Sequence, residues 1–278
     1  MAKLRYQDGL KLAERVIEIP VTPHPAFSSC YVFAFPKSGS VLLNNITHAL
    51  MRETGIPIVD IPAFCFTNGI AIGTVLFDID QIFRPKGYCY SGFRVVPANM
   101  VGVLNQLSGN KILMVRDPRD MLVSLYYSIK FSHPVPEAGT AQFFALVNAL
   151  RGSAAESIDR FCISNADVYL SRFRDYSQLL DHGAVKILRY EDVIFDKLSL
   201  ARTIRDWFSL DVASTRLNEL VEPFNVLPKD DNPHEHIRQV HPGDHKRKLQ
   251  PATIEILNAT LEKFIRRFDY SFCVPGPI

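Results

Sequence analysis

An excess of one charge sign is almost missing from this chain: 31 basic residues stand against 29 acidic ones, a formal +2 over 278 residues. That excludes the strongly basic footprint of a general nucleic-acid binder, so any anion site must be local. Cysteine is sparse as well. Cys30, Cys65, Cys89, Cys162 and Cys273 are scattered, odd in number and without a C-x-x-C pair, which argues against a disulfide framework and a zinc site and favours a reducing cytoplasm. No run approaches the roughly 20 apolar residues of a membrane span; the best stretch, 56–76, is broken by Asp60, Pro62 and Asn68. The N-terminus carries charges throughout and lacks the apolar stretch of a signal peptide. With no Gly/Ser linker, charge block or internal repeat, the expectation is one domain over 1–278.

The informative stretch is 31–51, YVFAFPKSGSVLLNNITHALM. Apolar residues 31–35 end at Pro36, the turn Lys37-Ser38-Gly39-Ser40 follows, and Leu42, Leu43, Ile46, Ala49 and Leu50 then recur near helical spacing. Strand, tight turn and helix in that order aim backbone N–H groups and a positive helix end at one point, beside the ammonium of Lys37; the place suits an anion.

Ahead of it, residues 1–29 read as a stiff lead-in punctuated by Pro20, Pro23 and Pro25. Behind it, 93–97 reads as extended, 98–107 as helix, and 111–115 (KILMV) as a strand buried on both faces. Asp117 is placed to cap, and Pro118 to open, a helix to about residue 130. Helices are expected over 141–149, 157–180, 198–208, 213–221 and 252–268, with a second buried strand over 184–188. Alternating strands and helices give an α/β fold, a mostly parallel central sheet flanked by helices. In the late segment His241 and His245 read as exposed, and Asp78 and Asp80, two apart, as sharing a strand face.

A nucleotide triphosphatase loop needs G-x-x-x-x-G-K-[ST]; here Tyr31 and Pro36 occupy the two glycine positions, so a kinase-like reading stays the weaker alternative. PKSGS instead resembles the 5′-phosphosulfate loop of the sulfotransferases that use 3′-phosphoadenosine 5′-phosphosulfate (PAPS). Arg116 and Ser124, within RDPRDMLVSLYYS, resemble that family's 3′-phosphate motif. Tyr190 in LRYEDV resembles its adenine-side tyrosine, and RQVHPGDHKRKL resembles its late loop, with Arg238, Gly243, Asp244 and Lys246 in pattern and Gln239, Val240 and His245 departing from it. HPVPEAGT, from His133, resembles a loop of the cytosolic branch. The resemblance implies a P-loop-like fold, PAPS as donor with its bisphosphate (PAP) as product, no metal, and a donor site made of Lys37, Ser38, Gly39, Ser40, Val41, Arg116, Ser124, Tyr190 and Arg238. Val41 and Leu42 replace the usual hydroxyl and tryptophan; Phe224 is the candidate to stack on adenine, Trp207 reading rather as core.

What the resemblance implies chemically is transfer of a sulfuryl group to an acceptor hydroxyl, with Lys37 meeting charge on the bridging oxygen. The acceptor's proton needs a base. Arg94 stands where the cytosolic branch has a histidine, so candidates are Asp80 and Asp78, then His133, with Asp60 and His48 behind them. A carbohydrate is the expected acceptor and a small aromatic or steroid-like alcohol the alternative; a homodimer is allowed.

Overall fold

The computed structural model describes residues 2–76, 79–96, 100, 106–132, 147–148, 150, 156–181, 184–228, 232 and 240–272. Its frame is a five-stranded parallel sheet in the order β4-β6-β3-β7-β8, with β3 (Cys30–Ala34) central, β4 (Ile58–Val59) and β6 (Cys89–Phe93) to one side, and β7 (Lys111–Val115) and β8 (Val185–Arg189) to the other. Alternation along the strands feeds two cores. Tyr31, Phe33, Leu113 and Val115 enter one cluster, while Val32, Ala34, Ile112 and Met114 enter the other. Both faces are therefore buried at β3 and β7, as the uninterrupted apolar runs require, whereas the edge strand β8, expected to be buried as well, leaves Lys186 exposed and only Leu188 fully covered.

Helix α1 (Ser40–Glu53) packs on the second face through Leu43, Ile46 and Leu50. The short helices α2 (Ile61–Thr67) and α3 (Ile79–Ile82) follow β4. Helix α4 (Pro118–Tyr127) and the long α5 (Ile158–Asp181) cover the first face, where α5 contributes Phe161, Tyr169 and Tyr176. After β8 come the single turn α6 (Tyr190–Val193), then α7 (Lys197–Trp207) and α8 (Ser214–Val221) on the second face. A short α9 (Asp244–Lys248) precedes α10 (Pro251–Thr260) and α11 (Glu262–Arg267), which return to the first.

Several expectations shift. Residues 1–29 are not a mere lead-in: β1 (Ala2–Asp8) and β2 (Lys11–Ile17) form an antiparallel hairpin about Gly9-Leu10, and β5 (Val75–Leu76) pairs with the other edge of β1. Gly9 supplies the positive φ of 60° that this turn needs. The strand read at 93–97 lies earlier, at Cys89–Phe93, and 252–268 is two helices broken at Leu261 rather than one. Asp80 sits in α3, so it belongs to no strand face; Asp78 lies outside the described residues. Most of 98–107 and 141–149 lies outside them too.

The start of α4 is pinned by buried charge. Asp117 caps the helix at Arg119 N (3.0 Å) and holds the Arg119 guanidinium at 2.9 and 2.6 Å. That guanidinium also reaches Asn258 Oδ1 (2.6 Å) and Ser271 O (2.7 Å), joining strand end to C-terminal helices. Removing one partner of such a pair strands the other, so Arg119→Leu should lower stability by about 3–5 kcal/mol. An unchanged urea midpoint would refute this.

Candidate functional site

In a parallel sheet the carboxyl ends of all strands point the same way, and here they deliver a row of polar side chains. In spatial order these follow β4, β6, β3, β7 and β8: Asp60, Arg94, Lys37, Arg116 and Tyr190. A cavity of about 600 Å³ opens at that edge, lined among others by Lys37, Gly39, Ser40, Val41, Arg116, Ser124 and Tyr190.

The lysine loop is built tightly. Phe35 N–H reaches Met114 O (3.1 Å), and Ser38 N–H turns back to Phe35 O (3.2 Å). The Ser38 hydroxyl is also turned inward, sharing its proton between Phe35 O (2.7 Å) and Met114 O (3.1 Å). Ser38 thus shapes the loop and is absent from the cavity lining. Lys37 and Gly39 both take positive φ, 67° and 90°. At Gly39 no side chain fits: a Cβ would stand 2.7 Å from the Tyr190 ring and 3.2 Å from Met114 Sδ. Gly39 caps α1 with no side-chain bond, and the first turn of a helix has N–H groups without intrahelical acceptors, so the cavity meets a positive backbone end.

Arg116 crosses to this loop, donating to Lys37 O at 3.4 Å, and lies over the Tyr190 ring with its Cζ 4.4 Å from the centroid. It is only 5% exposed. Burial weakens its charge, yet Asp120, Tyr190, Glu191 and Asp244 outweigh that and raise its pKa, keeping it cationic. Among the described residues nothing accepts from its buried Nε. Its ion pair with Asp120 is long, 3.7 Å. A buried guanidinium with spare donors at the mouth of a cavity is a site for a doubly acceptor-rich anion such as a phosphate.

Asp120 faces inward and organises the late loop. Its carboxylate accepts from Gly243 N (2.7 Å), His245 N (2.9 Å) and His245 Nδ1 (2.6 Å). Burial would raise its pKa, but the His245 ring and Arg116 hold it well below the usual carboxylate range. His245 is therefore not exposed as expected from its charged neighbours; it is 1% accessible, while His241 is exposed. Tyr190 closes the same corner: burial pushes its phenol up to about 12, and the neutral hydroxyl donates to Val240 O at 2.9 Å. Glu191 beside it accepts from Asp117 N (2.9 Å) and Tyr270 OH (3.1 Å). Arg238 and His133 lie outside the described residues.

Leu42 and Phe224 line the cavity; Trp207 does not, its Nε1 donating to Lys111 O (2.9 Å) at the far end of β7. His48 lies outside the lining, bonded through Nε2 to Ser91 Oγ (2.7 Å), and burial then Arg52 lower its pKa. Asp60 caps α2 at Ala63 N (2.8 Å); burial raises its pKa, against Ala63 N–H and Arg94. Sequence reasoning missed Asn45, Ser128, Arg172 and Lys197 in the lining. Ser128 follows Ser124 by one turn and was open to discovery from that spacing; Arg172 had no signal beyond its place in a long helix. Lys197 is turned to Val226 O (3.1 Å) and Asn225 Oδ1 (3.4 Å).

The sulfotransferase domain family matches residues 104–268, more than half of the chain. Mouse sulfotransferase SULT7A1 complexed with PAP has the same fold, with a TM-score of 0.57 and 14% identity over 87% of this chain and 85% of that one. Retinol dehydratase in complex with androsterone and inactive cofactor PAP gives 0.48 and 12% over 92% and 84%. No curated protein matches the sequence.

A depressed carboxyl contributes stability above its unfolded pKa, near 4, and loses it as pH falls toward and through its lower folded pKa. Asp120→Asn should remove that acid-side dependence and speed amide exchange at Gly243 and His245 by about tenfold or more. Hydrogen exchange read by mass spectrometry checks it; unchanged protection would mean that the late loop is held elsewhere.

Proposed function

The chain belongs to the sulfotransferase domain family, and we propose that its cavity takes PAPS as donor and passes the sulfuryl group to an acceptor hydroxyl. One observation carries the donor assignment. Lys37 and the opening turn of α1 line the cavity, and the buried Arg116, with Nε unpartnered among the described residues, lines it one strand away. Two anion sites on one cavity fit a nucleotide phosphorylated at both ends of its ribose.

In this reading the bond between sulfur and the 5′-phosphate oxygen breaks as a bond from sulfur to the acceptor oxygen forms, and the acceptor proton leaves to a base. Lys37 and the α1 N–H groups neutralise charge on the leaving oxygen, the term that dominates such loose transfers. Arg116 and Ser124 hold the 3′-phosphate away from the reacting bond; their binding energy selects the donor and sets its register. Gly39 lets the backbone approach, and Phe224 or Leu42 supplies an apolar face for the adenine. Arg238 is assigned to the 3′-phosphate by resemblance alone. The acceptor is read as a carbohydrate on the strength of Asn45 and Arg94, in a lining whose other members are largely apolar. The free, buried thiols of Cys30, Cys65, Cys89 and Cys162 support a reducing, cytoplasmic setting.

Isothermal titration should show binding of adenosine 3′,5′-bisphosphate and none of ATP at matched concentration; the reverse preference would replace this reading with a phosphoryl-transfer one. Lys37→Ala should lower labelled-sulfate transfer by about 10²–10³-fold with bisphosphate affinity mostly kept. Arg116→Ala should instead weaken the bisphosphate by roughly 10–100-fold, the loss of a charge-assisted pair. Equal effects of the two variants on binding would dissolve the division of labour between them.

A further inference from the structure

We propose that the acceptor is itself anionic, carrying a carboxylate, sulfate or phosphate beside the hydroxyl that is modified, and that Arg94 with Arg172 holds that group. The inference rests on the sulfotransferase reading and adds the chemical class of its second substrate.

The charge around the cavity exceeds what the donor uses. Its described lining contains Lys37, Arg94, Arg116, Arg172 and Lys197 and no carboxylate. Lys37 and Arg116 are assigned to the two ends of the donor, and Lys197 is occupied by Val226 O and Asn225 Oδ1. Arg94 and Arg172 remain.

Their place in the fold says which substrate they serve. Arg94 follows β6 and Arg116 follows β7, so the two stand on opposite sides of Lys37 at the end of β3. In-line transfer requires the nucleophile to enter opposite the leaving oxygen. With the nucleotide body on the β7 and β8 side, the acceptor enters from the side of Arg94. Arg172 comes down on the same cavity from α5, which is anchored to the lysine loop by Tyr169 OH to Pro36 O (3.1 Å) and lies on the central strand through Tyr176 OH to Ala34 O (2.9 Å). Arg172 stacks over the Tyr169 ring at 5.3 Å, a contact that orients it.

The acids nearest these two arginines stand outside the lining. Asp60 feels Arg94 electrostatically, yet the two form no ion pair among the described residues, and Asp60 Oδ1 already accepts from Ala63 N. Asp175 lies within the field of Arg172 and is likewise outside the lining. A neutral alcohol would make no use of the two guanidinium groups; an anionic one would be bound by both and have its hydroxyl fixed in register with Lys37.

The test compares two acceptors that differ in one group, phenyl β-D-glucuronide and phenyl β-D-glucoside, with labelled PAPS. The glucuronide should be sulfated with kcat/KM about tenfold or more above the glucoside, the worth of a charge-assisted contact. An Arg94→Ala, Arg172→Ala double variant should erase that ratio with bisphosphate affinity kept, and Arg94→Lys with Arg172→Lys should restore part of it. A glucoside used equally well, transfer to neither sugar by protein that binds bisphosphate, or a double variant that loses bisphosphate binding would each overturn the proposal. Failure of the wild type to bind bisphosphate at all would instead sink the sulfotransferase reading beneath it.

Discussion

Asp120 is shut away from bulk solvent, and protein donors satisfy its carboxylate: two backbone N–H groups and the ring of His245, with the Arg116 guanidinium at longer range. An isolated charge in that position would be prohibitively costly, so the groups that solvate it must be in place whenever the protein is folded. Those groups come from two parts of the chain more than a hundred residues apart. One is the strand end that carries Arg116; the other is the loop just beyond Arg238. The requirement to satisfy one buried carboxylate thus brings the strand end and the late loop together before any ligand arrives, the two parts of the chain to which the proposed donor site assigns its 3′-phosphate.

The parallel sheet does the complementary work of spacing. Neighbouring strands lie roughly 4.8 Å apart, so side chains leaving successive strand ends form a graded row whose members cannot exchange places. In the proposed reading, sulfuryl transfer falls at β3, nucleotide selection at β7 and β8, and acceptor recognition at β6, in the order that the sheet sets. Tyr190 fastens the row from the side, with its ring against Gly39 and Arg116 and its hydroxyl on Val240 O.

What was legible in the sequence had strong local pattern. Strands buried on both faces announce themselves as unbroken apolar runs, and the Asp117-Pro118 start of α4 is written in cap chemistry. The β1–β2 hairpin was harder to read because β2 is exposed along most of its length and offers no alternation, although Gly9 marked its turn. Order along the chain singled out Lys37, Arg116, Ser124 and Tyr190, which line one cavity, but the inward turn of Ser38 was not legible, since a hydroxyl in a loop carries no sign of where it points. Burial of His245 depends on a carboxylate 125 residues away, and no window of sequence contains both. Arg94 was visible only as a departure from the family's histidine.

A protein with a formal charge of +2 has almost no long-range field of its own. Here Lys37, Arg94, Arg116, Arg172 and Lys197 line one cleft without a carboxylate among its described lining, and such a cleft focuses field lines well beyond what net charge suggests. Encounter with a polyanionic molecule is then governed by the mouth of the cavity rather than by the protein as a whole. Capture should be fast in dilute buffer and slow steeply as salt rises, since the Debye length at physiological ionic strength is only about 8 Å. The row of strand-end cations is in this sense a kinetic device as well as a binding one: it sets how a ligand approaches before any hydrogen bond is made.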